Sequence, residues 1–320
     1  MLNALKFVRG AVAVKDYQPV LTHFRIHEGR VTGYNGVIAL SSPIDLDLSA
    51  TPKAIPFVKA IERCKHETTA VHITPGGKLG LRSGGFKVFV DCAEDSEILD
   101  SIQPEGDPGP IFAAEFLDAL KYLQSFIGND ASRPWATGVL LKGMSAFATN
   151  NIIVAEYWLG YELPSLNLPA VAVAELLRIN EVPTHSQVSK NSITFFFQND
   201  RWMRCQLLNA DWPDVTPILN VEAQPASFPE NFFEAVETLA PFVSEEGRIY
   251  FRAGQMTTSV EDGAGAAIEI EGLPETGAFN YKYLLSLRDY VDSIDFTKHP
   301  KPCPFYGPRL RGVILGMVDA

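Results

Sequence analysis

The chain has 320 residues, 46% of them hydrophobic, enough to bury more than one core and longer than the roughly 100–200 residues of a typical domain. With 27 basic and 38 acidic side chains the net charge is −11, which excludes a uniformly basic nucleic-acid-binding surface and confines any phosphate contact to local patches. Cys64, Cys92, Cys205 and Cys303 are far apart with no C-x-x-C pair, so neither a disulfide framework nor a zinc knuckle is expected and the thiols read as reduced.

In chain order, MLNALKFV (1–8) reads as a helix of the fold, with Leu2, Leu5 and Val8 at helical spacing. Lys6 and Arg9 interrupt what would otherwise resemble a signal peptide. Residues 20–40 are rich in β-branched and aromatic types and are broken at Glu28-Gly29 and Asn35-Gly36, two hairpin signals. A second helix is expected at 52–64, then a strand pair within 77–91 that turns at Ser83-Gly84-Gly85.

The series then starts again. A shift of 115 lays FLDALKYL (116–123) over residues 1–8, matching Leu2 with Leu117, Ala4 with Ala119, Leu5 with Leu120 and Lys6 with Lys121. Without a gap the same shift pairs Pro19 with Pro134, Thr22 with Thr137 and Asn35 with Asn150. A helix at 170–179 and a strand pair at 192–208, turning at Asn199-Asp200, complete this copy. A weaker third copy opens with FFEAVETL (232–239) at a shift of 116, continues with a helix at 280–291, and ends in a strand pair within 304–317 that turns at Gly307-Pro308. Turn-rich segments at 101–110 and 220–229 separate the copies and set three domains, 1–107, 108–222 and 223–320. Helices covering one face of antiparallel sheets, an α+β architecture, fit this order better than alternating βαβ units.

Residues that would carry catalysis are scarce. There is no G-x-x-x-x-G-K-[ST], no G-x-S-x-G and no H-E-x-x-H. His23 and His27 lie four apart on an expected strand, without a carboxylate or cysteine at ligand spacing, and read as hydrogen-bonded side chains. The glycines of 76–85 mark a hairpin, and EDGAGAA (261–267) lacks the oxygen ligands of a calcium loop and reads as a turn. A non-enzyme with no metal and no cofactor is expected. No apolar stretch is long enough to span a bilayer, so a soluble, cytoplasmic protein without a membrane partner is expected.

Three local segments join the repeat. RPWATGVLL followed by ATNNIIVA (133–155), NADWPDVTPIL (209–219) and RGVILGM (311–317) resemble, in this order and spacing, segments of the bacterial-type β sliding clamps found in bacteria and some of their viruses. They correspond to that family's second-domain stretch with its T-D-G turn, its phenylalanine-proline-aspartate junction, and its short hydrophobic C-terminal strand and tail. The resemblance covers essentially the whole chain. Departures are Thr149-Asn150-Asn151 in place of T-D-G, and Leu315-Gly316-Met317-Val318 in place of M-P-M-R.

The resemblance implies a DNA clamp fold: three domains per chain, each with two helices and sheets, and two chains closing head to tail into a homodimeric ring around double-stranded DNA. Partners would be DNA held without regard to sequence, a DNA polymerase and a clamp loader. Weak phosphate attraction suits sliding. Polar faces of the first-copy helices carry Asn3, Lys6 and Arg9, then Lys53, Lys59 and Arg63. Lys121 and Arg178 in the second copy and Lys282 and Arg288 in the third correspond to them, while Lys15 and Arg133 fall on loops that the resemblance places near DNA. Glu230, Glu234 and Glu237 occupy the start of the third copy, so the first domain is expected to supply most of the attraction.

The resemblance also implies a hydrophobic groove between the second and third domains that takes a partner's extended peptide. Its expected walls are Trp135, Ala136, Thr149, Asn151, Ile153 and Val154, then Pro213, Pro217 and Ile218, then Val313, Ile314, Leu315, Gly316 and Met317. Each peptide side chain fully buried there would contribute ~1.5–3 kcal/mol. Met317 stands out, since an apolar residue near a chain end needs a reason to be ordered. The alternative reading is a β-rich, repeat-built structural oligomer such as a viral particle component, which composition alone does not separate from a clamp.

Overall fold

The computed structural model describes residues 1–15, 18–66, 68–252, 254–261 and 263–318. Asp262, inside the turn expected at 261–267, lies outside the described residues. Eight α-helices occur among them: α1 (Leu2–Val8), α2 (Ala54–Arg63), α3 (Glu97–Asp100), α4 (Ala114–Leu123), α5 (Ala170–Ile179), α6 (Thr216–Leu219), α7 (Phe232–Leu239) and α8 (Tyr281–Leu285). None is long and apolar enough to cross a membrane. The chain separates into two compact units, 1–117 with 171–207 and 118–170 with 208–320.

The first unit holds a seven-stranded antiparallel sheet whose order is 25–27, 30–34, 38–43, 201–206, 192–197, 185–188 and 107–108. It also holds a three-stranded sheet of 70–73, 79–83 and 86–90. Helix α1 buries Leu5, Phe7 and Val8, and α2 buries Phe57, Val58 and Ile61, leaving Lys6, Lys59 and Arg63 exposed as amphipathic spacing requires. Phe116 packs on Phe112 and Phe195 at centroid separations of 4.3 and 5.9 Å, contacts that contribute about 0.5–1.5 kcal/mol each beyond burial.

The second unit holds a six-stranded sheet ordered 226–227, 293–294, 303–307, 310–314, 153–169 and 138–149, and a four-stranded sheet ordered 267–269, 255–257, 248–252 and 276–280. Its core centres on Phe232, Phe251, Phe279 and Phe296, whose rings meet at 5.2–5.9 Å.

The repeat recurs as repeated turn chemistry. Asn35 Oδ1 accepts from the backbone N–H groups of Val37 and Ile38 at 3.1 and 2.9 Å, and Asn150 Oδ1 accepts from Ile152 and Ile153 at 3.1 and 2.8 Å. An asparagine fixing its own turn in this way sets the strand register on either side. The strands that follow, 38–43 and 153–169, each pair with the last strand of a later strand group, 201–206 and 310–314 respectively. These two joints make each large sheet continuous, which is why the division into units cuts the second repeat and not the linkers.

Two expected elements differ. The helix expected over 280–291 ends at Leu285, because Ser286 Oγ donates to the Tyr283 carbonyl and the chain continues in tighter i to i+3 bonds, Leu287 to Leu284 and Arg288 to Leu285. The start of the strand run expected from residue 20 is a 3₁₀ turn, Pro19–Thr22, closed by Thr22 Oγ1 on the Pro19 carbonyl.

Candidate functional site

The Thr149–Asn151 turn forms although its residues depart from T-D-G. Asn151 sits at φ 72°, as Gly36 sits at φ 93° in the first copy, and asparagine tolerates this left-handed region better than most side chains. Thr149 Oγ1 donates to the Ile153 carbonyl at 2.7 Å and accepts from Asn151 N–H at 3.1 Å. The turn also receives the tail: Leu315 N–H donates to the Ile152 carbonyl at 2.8 Å. Met317 then donates its N–H to the Ala278 carbonyl at 2.7 Å, and its own carbonyl lies 3.0 Å from His299 Nε2. The tail thus continues along the edge strand Thr276–Asn280, which orders Met317.

The structure sorts the expected groove residues into three groups. Ala136, Thr149, Ile153, Val313 and Ile314 are at most 2% exposed and offer no accessible wall, a correction to the expected groove: alternation turns Ile153 and Ile314 into the core, while Val313, on the face of Val154, is covered by α6 packing against Leu310–Ile314. Asn151, Val154, Pro217, Ile218, Leu315 and Gly316 keep accessible surface around that strand, while Met317 lines a different cavity, of about 440 Å³, with Tyr250, Arg252, Ala278, His299 and Pro300. Trp135 and Pro213 belong elsewhere: Trp135 packs edge-on against Trp212 at 5.3 Å, and Pro213 lines a separate cavity of about 380 Å³ with Leu140, Lys142, Phe147 and Trp212.

Sequence reasoning missed the neighbouring stretch of the same joint. Val313 faces Val154, Arg311 faces Glu156, and Trp158 N–H bonds the Arg309 carbonyl, so alternate residues of both strands share one face. Arg311 Nε donates to Glu156 at 2.6 Å and its Nη1 to Asn220 Oδ1 at 2.9 Å. Arg309 lies over the Trp158 ring at 5.2 Å, and these side chains line a cavity of about 330 Å³. Period-two spacing at 154, 156, 158 and at 309, 311, 313 was the available signal.

Of the basic residues, Arg9, Lys15, Lys53, Lys59, Arg63, Lys121, Arg133 and Lys282 are exposed, while Lys6 lies 3.6 Å from Glu62 between α1 and α2. Arg178 is differently committed. It pairs with Glu175 through Nε at 2.9 Å and donates to the Phe7 carbonyl at 2.7 Å, tying α5 to the C-terminal turn of α1. The buried Glu175 carboxylate lies against Gly10, where a Cβ would stand 1.9 Å from Oε1. Arg288 pairs with Glu237 at 2.5 Å over the Phe233 ring. Burial pushes the Cys205 and Cys303 thiols up to about 12, which suits core packing and not nucleophilic chemistry.

No protein-family model and no curated protein matches the sequence. Solved structures do match the fold. The β subunit of a DNA polymerase from Streptococcus pyogenes superposes with a TM-score of 0.84 at 17% identity, covering 99% of this chain and 97% of that one. The DNA polymerase sliding clamp of Bacillus subtilis gives 0.82 at 16%, covering 100% and 97%. The β sliding clamp of Caulobacter crescentus gives 0.82 at 16%, covering 99% and 97%. The chain has the α+β fold of the bacterial β sliding clamps.

Proposed function

We propose that this protein is a DNA sliding clamp: two copies close a ring around double-stranded DNA and hold a DNA polymerase to it. It would act in the cytoplasm of a bacterium or of an infected cell. The observation that carries the reading is fold likeness to sliding clamps over at least 99% of the chain, with TM-scores of 0.82–0.84 in those comparisons. Three clamp domains, 1–107, 108–222 and 223–320, are the division we adopt, and a clamp loader is the partner a closed ring requires. Exposed Lys59, Arg63 and Arg9 would attract phosphates weakly, as sliding demands. The accessible groove residues around Val154 and Ile218 would take the polymerase's peptide.

The sheet joints support ring closure. In each joint the strand after the asparagine turn pairs with the last strand of a three-strand group. Among the described residues one strand of each kind has no partner across a joint: 86–90 ends the three-stranded sheet, and 267–269 ends the four-stranded one. Phe86 and Phe89 stay 37% and 49% exposed on the first edge, with Lys87 beside them, and Glu269 is exposed on the second. An exposed strand edge with apolar side chains calls for a partner strand. Pairing these edges between two copies would repeat the internal joint and close the ring.

Light scattering with negative-stain microscopy tests this. Open rings at twice the 35.2 kDa chain mass are expected, converted to monomers by Phe89→Asp with Lys87→Glu. On primed circular DNA, added protein and loader should lengthen polymerase products. Filaments or closed shells would favour the particle reading instead.

A further inference from the structure

The groove's floor does not end at Val154. Two residues along the paired strands, about 6.6 Å, stand Glu156 and Arg311, and two further stand Trp158 and Arg309 on the same face. Arg311 faces Glu156 there, beside an indole that is 50% exposed and over which Arg309 lies while its Nη1 donates to the Leu159 carbonyl. Arg311 is held at two of its three nitrogens, Nε by Glu156 and Nη1 by Asn220, and its Nη2 has no partner among the described residues. Glu156 cannot turn away to meet a ligand, because its Oε1 accepts from Ser145 Oγ at 2.7 Å while Oε2 holds Arg311. The result is a pre-oriented cation with an open donor, next to an exposed aromatic surface and on the same sheet face as Val154.

We propose that the peptide bound in this groove carries a carboxylate two to four residues beyond its apolar anchor. Arg311 Nη2 receives that carboxylate, with Arg309 and Trp158 flanking the residue that bears it. This deepens the clamp reading and rests on the groove being a peptide site. The sign of the effect is diagnostic. A chain of net charge −11 attracts basic peptides in general, so a preference for an acidic one has to come from a local cation.

Three fluorescein-labelled peptides sharing one leucine-phenylalanine anchor and ending in Gly-Glu-Glu, Gly-Gln-Gln or Gly-Lys-Lys separate the possibilities by fluorescence anisotropy against the full chain. The acidic peptide should bind about three- to tenfold more tightly than the glutamine peptide, with the advantage shrinking as salt rises. Arg311→Lys, which keeps the charge and loses the fork, should reduce that ratio, and Trp158→Ala should weaken both peptides. Equal binding of the acidic and glutamine peptides, or a preference for the lysine peptide, overturns the carboxylate site and leaves the groove standing. Binding by none of the three overturns the groove and the site with it.

Discussion

The two sheet joints are built alike and finished differently. Counting from the shared asparagine turns, Ala39 and Arg204 of the first joint correspond to Val154 and Val313 of the second. In the first, the linker covers the sheet: Arg204 donates to the Gln103 carbonyl, to Ser192 Oγ and to Glu105, so every nitrogen of its guanidinium is engaged. In the second, the corresponding positions are apolar, and the neighbouring Arg311 keeps one nitrogen open. A joint whose linker satisfies its polar groups is structural. A joint that leaves Val154, Ile218 and one guanidinium edge accessible has the open surface that the proposed peptide site needs.

The core faces of the joints differ as well, and exchanging them should produce the largest effects. Met203, fully buried against the first joint, corresponds to Gly312 of the second, where a Cβ would stand 2.3 Å from the Phe305 ring and 2.5 Å from the Val154 carbonyl. Met203→Ala should cost about 2–5 kcal/mol by leaving a cavity. Gly312→Met should destabilise by a comparable or larger amount, because a backbone carbonyl cannot yield as a side-chain tip can. Urea unfolding checks both, and a neutral Gly312→Met would mean that the joint is looser than its register implies.

A smaller contrast lies on the outer faces. Arg204→Ala removes bonds to a carboxylate, a hydroxyl and a carbonyl, and should cost about 1–3 kcal/mol. Arg311→Ala should cost less, roughly 1 kcal/mol or below, since its side chain is 40% exposed and its pair with Glu156 is partly screened. Equal losses in urea unfolding would remove the distinction between a filled joint and an open one.

The sequence discloses what is local and periodic. Residues 170–179 and 232–239 are helices with the expected bounds, and the turns at Glu28-Gly29 and Asn199-Asp200 take the positive φ angles that hairpins require. The asparagine turns were visible as a match at a shift of 115, and their side-chain bonds explain why that residue recurs. The pairing of 38–43 with 201–206 was not visible, since strand alternation records which face is buried and not which distant strand lies alongside. For the same reason Val313 and Ile314 looked like groove residues when their burial belongs to the core and to α6. Arg178 read as a solvated helix cation because nothing in its neighbourhood announces that Gly10 leaves room for Glu175 against α1.

The smallest expected effect concerns the carboxylates that tether the two linkers. Asp295 is 1% exposed, and although burial alone would raise its pKa, the N–H groups of Gln224 and Thr297 with the Thr297 hydroxyl hold it below the ordinary carboxylate value. Glu105 is held low by Ser192 first, then by Ser189 and the charge of Arg204. A carboxyl whose pKa falls on folding contributes stability above its unfolded pKa and loses that contribution as pH drops through the folded one. Asp295→Asn should therefore destabilise at pH 7, with the difference from the parent closing below about pH 4. Glu105→Gln should show the same closing gap at only a few tenths of a kcal/mol, roughly, because its side chain is 48% exposed and solvent screens the pair. Urea unfolding at pH 7 and at a series of pH values down to about 2 measures both gaps. If the Glu105 gap exceeded that of Asp295, the linker of the first joint would be the more tightly held of the two through its ion pair, and burial would not be what ranks them.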